Sequence, residues 1–208
     1  MGTAQVPGLS GATLATLSTG QLDAISTKDV AALTTSQLSN LTSTQVTNLT
    51  TGQVAALSYS QVAALGVNFT NAQIGALSTG QAAGLTATVI GTLTSSQISA
   101  ISTKDIGSFT TAQIGALGAN ITTVQIAALT TAQAPGLSAA TLATLTSGQL
   151  DAISTNEITA LTTAQLTNLS TAQVQALTTG QVAALNYAQV SVLVSELSTS
   201  QIPYMTSV

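Results

Sequence analysis

Leu49-Thr50-Thr51-Gly52-Gln53-Val54-Ala55-Ala56-Leu57 is the stretch whose reading decides the fold, because small variants of it make up nearly the whole chain. A hydroxyl residue follows the leucine, a glutamine stands three places after the hydroxyl, and an apolar residue comes next. That order marks the start of a helix. The Thr50 side chain at the N-cap is placed to accept from the Gln53 amide, and the Gln53 side chain to accept from the Thr50 amide. Leu49 ahead of the cap is placed to pack on Val54, which completes a capping box with a hydrophobic staple. The next leucine arrives eight residues later with the same signal behind it, so each octad begins a new helix.

A β-solenoid is the competing architecture, since Thr and Val favour strands and short periods are common there. Alternation weighs against it. A period of two puts Gln53 on the face of Leu49 and Val54 on the opposite one, whereas a helix from Thr51 puts Val54 and Leu57 on one side. The expected fold is therefore all-α: a solenoid of very short capped helices, one per octad. Helices of about seven residues are marginal alone, so they must be held by stacking on their neighbours.

Counted by its leucine place, the chain runs in steps of eight from Leu9 to Leu65, slips by four to Phe69, runs again to Leu117, slips to Ile121, runs to Leu193, and slips to Leu197. The residue after each leucine is Ser, Thr or Asn except at the slips, where it is Gly66, Gly118 or Val194. A cap is needed only where a helix begins, so the slips read as one added helical turn. Pro-Gly-Leu or Ala-Gly-Leu recurs at Leu9, Leu85 and Leu137, and ISTKD or ISTNE at Ile25, Ile101 and Ile153. The whole chain, 1–208, thus reads as a single array with an incomplete unit 1–68, units 69–120 and 121–196, and the start of a further unit at 197–208. Subtracting a four-residue insert leaves 48 and 72 residues, which a 24-residue coil of three octads would explain, with other numbers of octads per coil left open.

Composition narrows the functional classes. Only 4% of the 208 residues are charged, Lys28 and Lys104 are the sole cations, and the net charge is -4, so no basic surface offers itself to nucleic acid. Cysteine, histidine and tryptophan are absent, which removes disulfides, thiol chemistry and the commonest zinc and copper ligands. Apolar runs fall far short of the roughly 18 residues that span a bilayer, and no membrane insertion is expected. The N-terminal MGTAQVPGL lacks the basic and apolar regions of a signal peptide. No catalytic residues, cofactor or metal are expected.

Several residues invite a functional reading. Asp23 with Asp29, and Asp151 with Glu157, are carboxylate pairs six apart that read as helix-start and surface charge before they read as a weak cation site. Lys28 beside Asp29 and Lys104 beside Asp105 read as exposed ion pairs. Tyr59 and Tyr187, at one place in related octads, are expected to be packing residues, with binding platforms as the alternative. Thr35, Thr51, Thr111, Thr163 and Thr179 follow the cap and form candidate rows for ice, a crystal surface or polysaccharide. Neither end carries the polar outer face that caps a repeat array. Val6 and Leu9 near the N-terminus, and Ile202, Tyr204, Met205 and Val208 near the C-terminus, are therefore candidates for head-to-tail self-association, or for contact with neighbouring repeats of a longer chain.

The octads from Leu129 to Gln133 and from Leu177 to Leu185 resemble the low-charge repeats of large secreted bacterial surface proteins and adhesins. The resemblance implies an extracellular or cell-surface structural role without an active site, and the expected function is a structural or adhesive solenoid, a rod or a self-assembling filament in contact with surface glycans. A binding solenoid that uses its threonine rows is the alternative.

Overall fold

A computed structural model describes residues 8–205, which fold as short helices with no strand among the described residues. The chain is all-α, and the β-solenoid alternative falls away. It divides into two compact units, Met1–Asp105 and Ile106–Val208.

Each helix is built as its octad dictates. For Thr51–Ala55, the N-cap Thr50 is extended at φ -65° and ψ 154°. Gln53 N donates to Thr50 Oγ1 at 3.1 Å, and Thr50 N donates to Gln53 Oε1 at 2.9 Å. Leu49 and Val54 are both buried. The helix stops because two extended residues follow it. Leu33 (ψ 143°) and the next cap Thr34 (ψ 156°) show the pattern, and together they turn the chain into its next side.

Within each unit three such sides make one coil. In the first unit, Thr27–Ala32 stacks with Thr51–Ala55, and Thr35–Leu38 with Tyr59–Leu65. In the second, Thr155–Ala160 stacks with Thr179–Ala184, and Thr163–Leu166 with Tyr187–Leu193. The partners are three octads apart, so an uninterrupted coil holds 24 residues. The leucine place and the residue after the glutamine point inward and form the core, as with Val54, Leu57, Val182 and Leu185. Burying each such aliphatic side chain contributes about 1.5–3 kcal/mol, which holds helices too short to persist alone.

The slips correct the expectation of an added turn on top of whole coils. The helices before them, Tyr59–Leu65, Thr111–Leu117 and Tyr187–Leu193, run through the leucine instead of stopping short of it. After the first two a 3-10 turn, Gly66–Asn68 or Gly118–Asn120, serves as an entire side without a side-chain cap. Ala87–Ile90 stacks on Gly66–Asn68, and Ala139–Thr144 on Gly118–Asn120. A slip is thus one side cut from eight residues to four. The coil keeps three sides and shrinks to 20 residues, and the stretches 69–120 and 121–196 contain seven and ten sides rather than multiples of three.

The glycine of the Ala-Gly-Leu or Pro-Gly-Leu marker belongs to the same device. A Cβ on Gly84 would lie 2.5 Å from Tyr59 O, and one on Gly136 2.6 Å from Thr111 O. In both cases the carbonyl is that of the first residue of a seven-residue helix. Only glycine lets the next coil close onto that helix start, which is why the marker follows a slip.

Candidate functional site

The feature that repeats on every regular coil is a ladder of glutamine side chains. Gln53 Oε1 is used by its own cap, and Gln53 Nε2 donates to Leu22 O at 3.0 Å and Ile25 O at 2.8 Å in the coil before. Gln181 does the same toward Leu150 O (2.8 Å) and Ile153 O (2.7 Å). Across a shortened coil the reach in sequence drops by four residues while the partners stay equivalent: Gln73 donates to Val46 O and Leu49 O, and Gln201 to Val174 O and Leu177 O. One buried side chain therefore satisfies a helix start and two carbonyls of a helix end. The second role was the part missed in the sequence. Its signal was present, since a capping box is met by Glu as well as Gln, and the near-exclusive use of Gln calls for a donor.

The exceptions follow from what lies beneath them. Val89 and Thr141 replace glutamine where the side below is the four-residue turn. Gly66 there is covered directly by Leu85 and Val89, whose methyl groups stand 3.0 Å from a Cβ built on it. Thr141 turns its hydroxyl to Ser138 Oγ at 2.9 Å.

The buried carboxylates Asp29, Asp105 and Glu157 are helix-start groups, and the expectation that Asp29 and Asp105 are exposed is corrected. Asp29 and Asp105 are buried while Lys28 and Lys104 are exposed, because adjacent helical residues point about 100° apart. Ser26 Oγ donates to Asp29 Oδ2 and Ser102 Oγ to Asp105 Oδ2, each at 2.7 Å. Asp29 Oδ1 is buried without a hydrogen-bond partner. Glu157 accepts from Ser154 N at 2.8 Å through Oε2. Asp23 and Asp151 are exposed whereas Asp29 and Glu157 are buried, so the structure does not bring either pair together on one surface. No group of three metal-ligating side chains occurs among the described residues.

Tyr59 and Tyr187 are 52% and 71% exposed, which overturns their reading as packing residues. Both are the first residue of their helix, the place that Thr27, Thr51, Thr111 and Thr179 also hold exposed. Of the candidate threonines, Thr35, Thr51, Thr111 and Thr179 are exposed and Thr163 is half-buried. The five do not form one row. One side of the second unit nevertheless carries Thr111, Thr131, Thr155, Thr179 and Thr199 in succession, all exposed, because the sides that hold them stack in that order. Thr155 Cγ2 lies 3.8 Å from a Cβ built on Gly180, so Thr155 sits against the start of the next helix.

Of the candidates for self-association, Ile202 and Tyr204 are 46% and 50% exposed, and Leu9 and Met205 are half-buried. Val6 and Val208 lie outside the described residues. A cavity of about 300 Å³ in the first unit is lined by Leu17, Gln21, Ala24, Ile25, Ser26 and Asp29. No helix among the described residues is long and apolar enough to cross a membrane.

These features define the chain as a repeat protein, each unit an all-α solenoid of capped octads stitched by glutamine. The family model of the ALTTAQ repeat matches residues 30–67 and 150–195, so those two stretches are similar to that repeat. No curated protein and no solved structure matches the chain significantly.

Proposed function

We propose that this chain is a non-catalytic structural protein of the bacterial cell exterior, a rod or a self-assembling filament with an adhesive surface. The observation that carries the reading is the glutamine ladder. Side chains that in another protein would form a site are spent here on joining coil to coil, and the buried carboxylates Asp29, Asp105 and Glu157 serve helix starts. Absence of cysteine suits an oxidising exterior, and the low-charge, hydroxyl-rich surface suits contact with surface glycans. Immunogold labelling of intact producing cells tests the location. Label on the outer surface or on shed fibres is expected, and label confined to the cell interior would overturn the reading.

The file of five threonines on one side of the second unit favours a second reading, a surface that binds ice, a crystal or a polysaccharide. Replacing Thr155 and Thr179 by Leu should then abolish thermal hysteresis or polysaccharide co-sedimentation without loss of helical content. Wild-type protein inactive in both assays removes this reading.

A further inference from the structure

One docking arrangement occurs twice inside the chain. Gly136 closes on the start of Thr111–Leu117, the octad of Ser138 and Thr141 sits on the short side Gly118–Asn120, and Gln149 Nε2 donates to Ile121 O at 2.6 Å. In the first unit, Gly84 closes on Tyr59–Leu65, the octad of Thr86 and Val89 sits on Gly66–Asn68, and Gln97 Nε2 donates to Phe69 O at 2.6 Å. Each instance joins three consecutive sides, and each needs a long helix, a short side and a leucine-place carbonyl in that order.

Both halves of a third instance are present but apart. Gly8, Thr13 and Gln21 have the spacing of Gly136, Thr141 and Gln149. Nothing lies within 4 Å of a Cβ built on Gly8. Thr13 is exposed where Thr141 is buried, Leu9 and Leu17 are half-buried where other leucine places are covered, and Gln21 is exposed, with Oε1 used by the Ser18 amide and no described carbonyl taking Nε2. The complementary half is the long helix Tyr187–Leu193, the uncapped four-residue step from Leu193 to Leu197, and the Leu197 carbonyl. No described glycine has Tyr187 O among its nearest atoms. Val190 is half-buried and Ile202 exposed, at the place where Val54 and Val182 are fully covered.

We infer that a second copy of this chain docks head to tail on the first, Gly8 closing on the Tyr187 carbonyl, the Ser10–Thr13 helix start covering residues 194–196, and Gln21 Nε2 donating to Leu197 O. The contact rests on the self-assembling form of the reading above and supplies its chemistry. It joins two different surfaces, so it is heterologous and leaves a free copy of each surface for a further chain, and a net charge of -4 opposes it only weakly.

Sedimentation velocity of the 208-residue chain across a wide concentration range, alongside Gly8→Val and Gln21→Ala, tests the inference. Wild type should form open, concentration-dependent oligomers. Gly8→Val should weaken association at least about 10-fold, the equivalent of about 1.4 kcal/mol, with circular dichroism and Tm unchanged, since its side chain meets open space within one copy. Gln21→Ala should weaken it less. A Gly8→Val protein that associates like wild type, a closed dimer, or a wild type that stays monomeric at millimolar concentration would each overturn the docking. None of these outcomes bears on where the protein resides, which the labelling experiment decides separately.

Discussion

Glutamine and glutamate differ by one amide group, and in this protein that group separates a local role from a tertiary one. Capping alone assigns Gln53→Ala a cost of about 0.5–1 kcal/mol. The ladder raises it, because the Ile25 carbonyl and the Thr50 amide lose their partner while Leu22 O keeps the Ile25 amide, and an unmet buried polar group costs about 1–3 kcal/mol. Chemical denaturation should show Gln53→Ala to be destabilised by about 3 kcal/mol, and Gln21→Ala, measured where the chain is monomeric, by no more than about 1 kcal/mol. Equal costs would mean that the ladder contributes nothing beyond the cap. Glu157 offers the reverse experiment. It keeps the cap acceptor but has no amide to donate where Gln165 and Gln181 have one. Glu157→Gln should therefore stabilise the protein by about 1 kcal/mol, seen as a higher denaturation midpoint at unchanged slope.

Among the elements, the four-residue side and the marker glycine act together. A methyl on Gly136 would stand 2.6 Å from Thr111 O and 3.0 Å from the Ile114 Cβ, both parts of a packed helix that cannot swing away. Gly136→Ala should cost about 1–3 kcal/mol through overpacking. Gly148, inside Ser147–Asp151 with nothing within 4 Å of its Cβ, should gain about 0.5–1 kcal/mol on replacement by Ala from helix propensity. A pair of melting curves checks both signs. Register offers a further test in the first unit. Removing the octad 33–40 leaves Gly84 three sides after Tyr59–Leu65, whereas removing 69–76 brings a different side onto that helix. The second deletion should lower Tm well below the first, and equal melting would contradict the three-sided coil.

For the whole molecule, the expected far-ultraviolet circular dichroism is helical despite the threonine content. A spectrum dominated by strand would contradict the fold. Helix type, helix starts and core were legible in one octad, because capping chemistry and the 3.6-residue period are local and act within a few residues of Thr50 and Leu57. The candidate surfaces were less legible. Tyr59 and Tyr187 read as packing residues from their shared place in related octads and proved exposed, since they stand first in their helices, right after the cap. The sequence by itself determined that the chain is a stack of capped octads with slips at Leu65, Leu117 and Leu193. Only the tertiary structure decided that a slip removes half a side, that glutamine binds the coil before it, and that five threonines share one side. Each of these depends on which residues meet 20 to 31 positions apart, and that distance is set by the number of sides per coil, a quantity no local signal encodes.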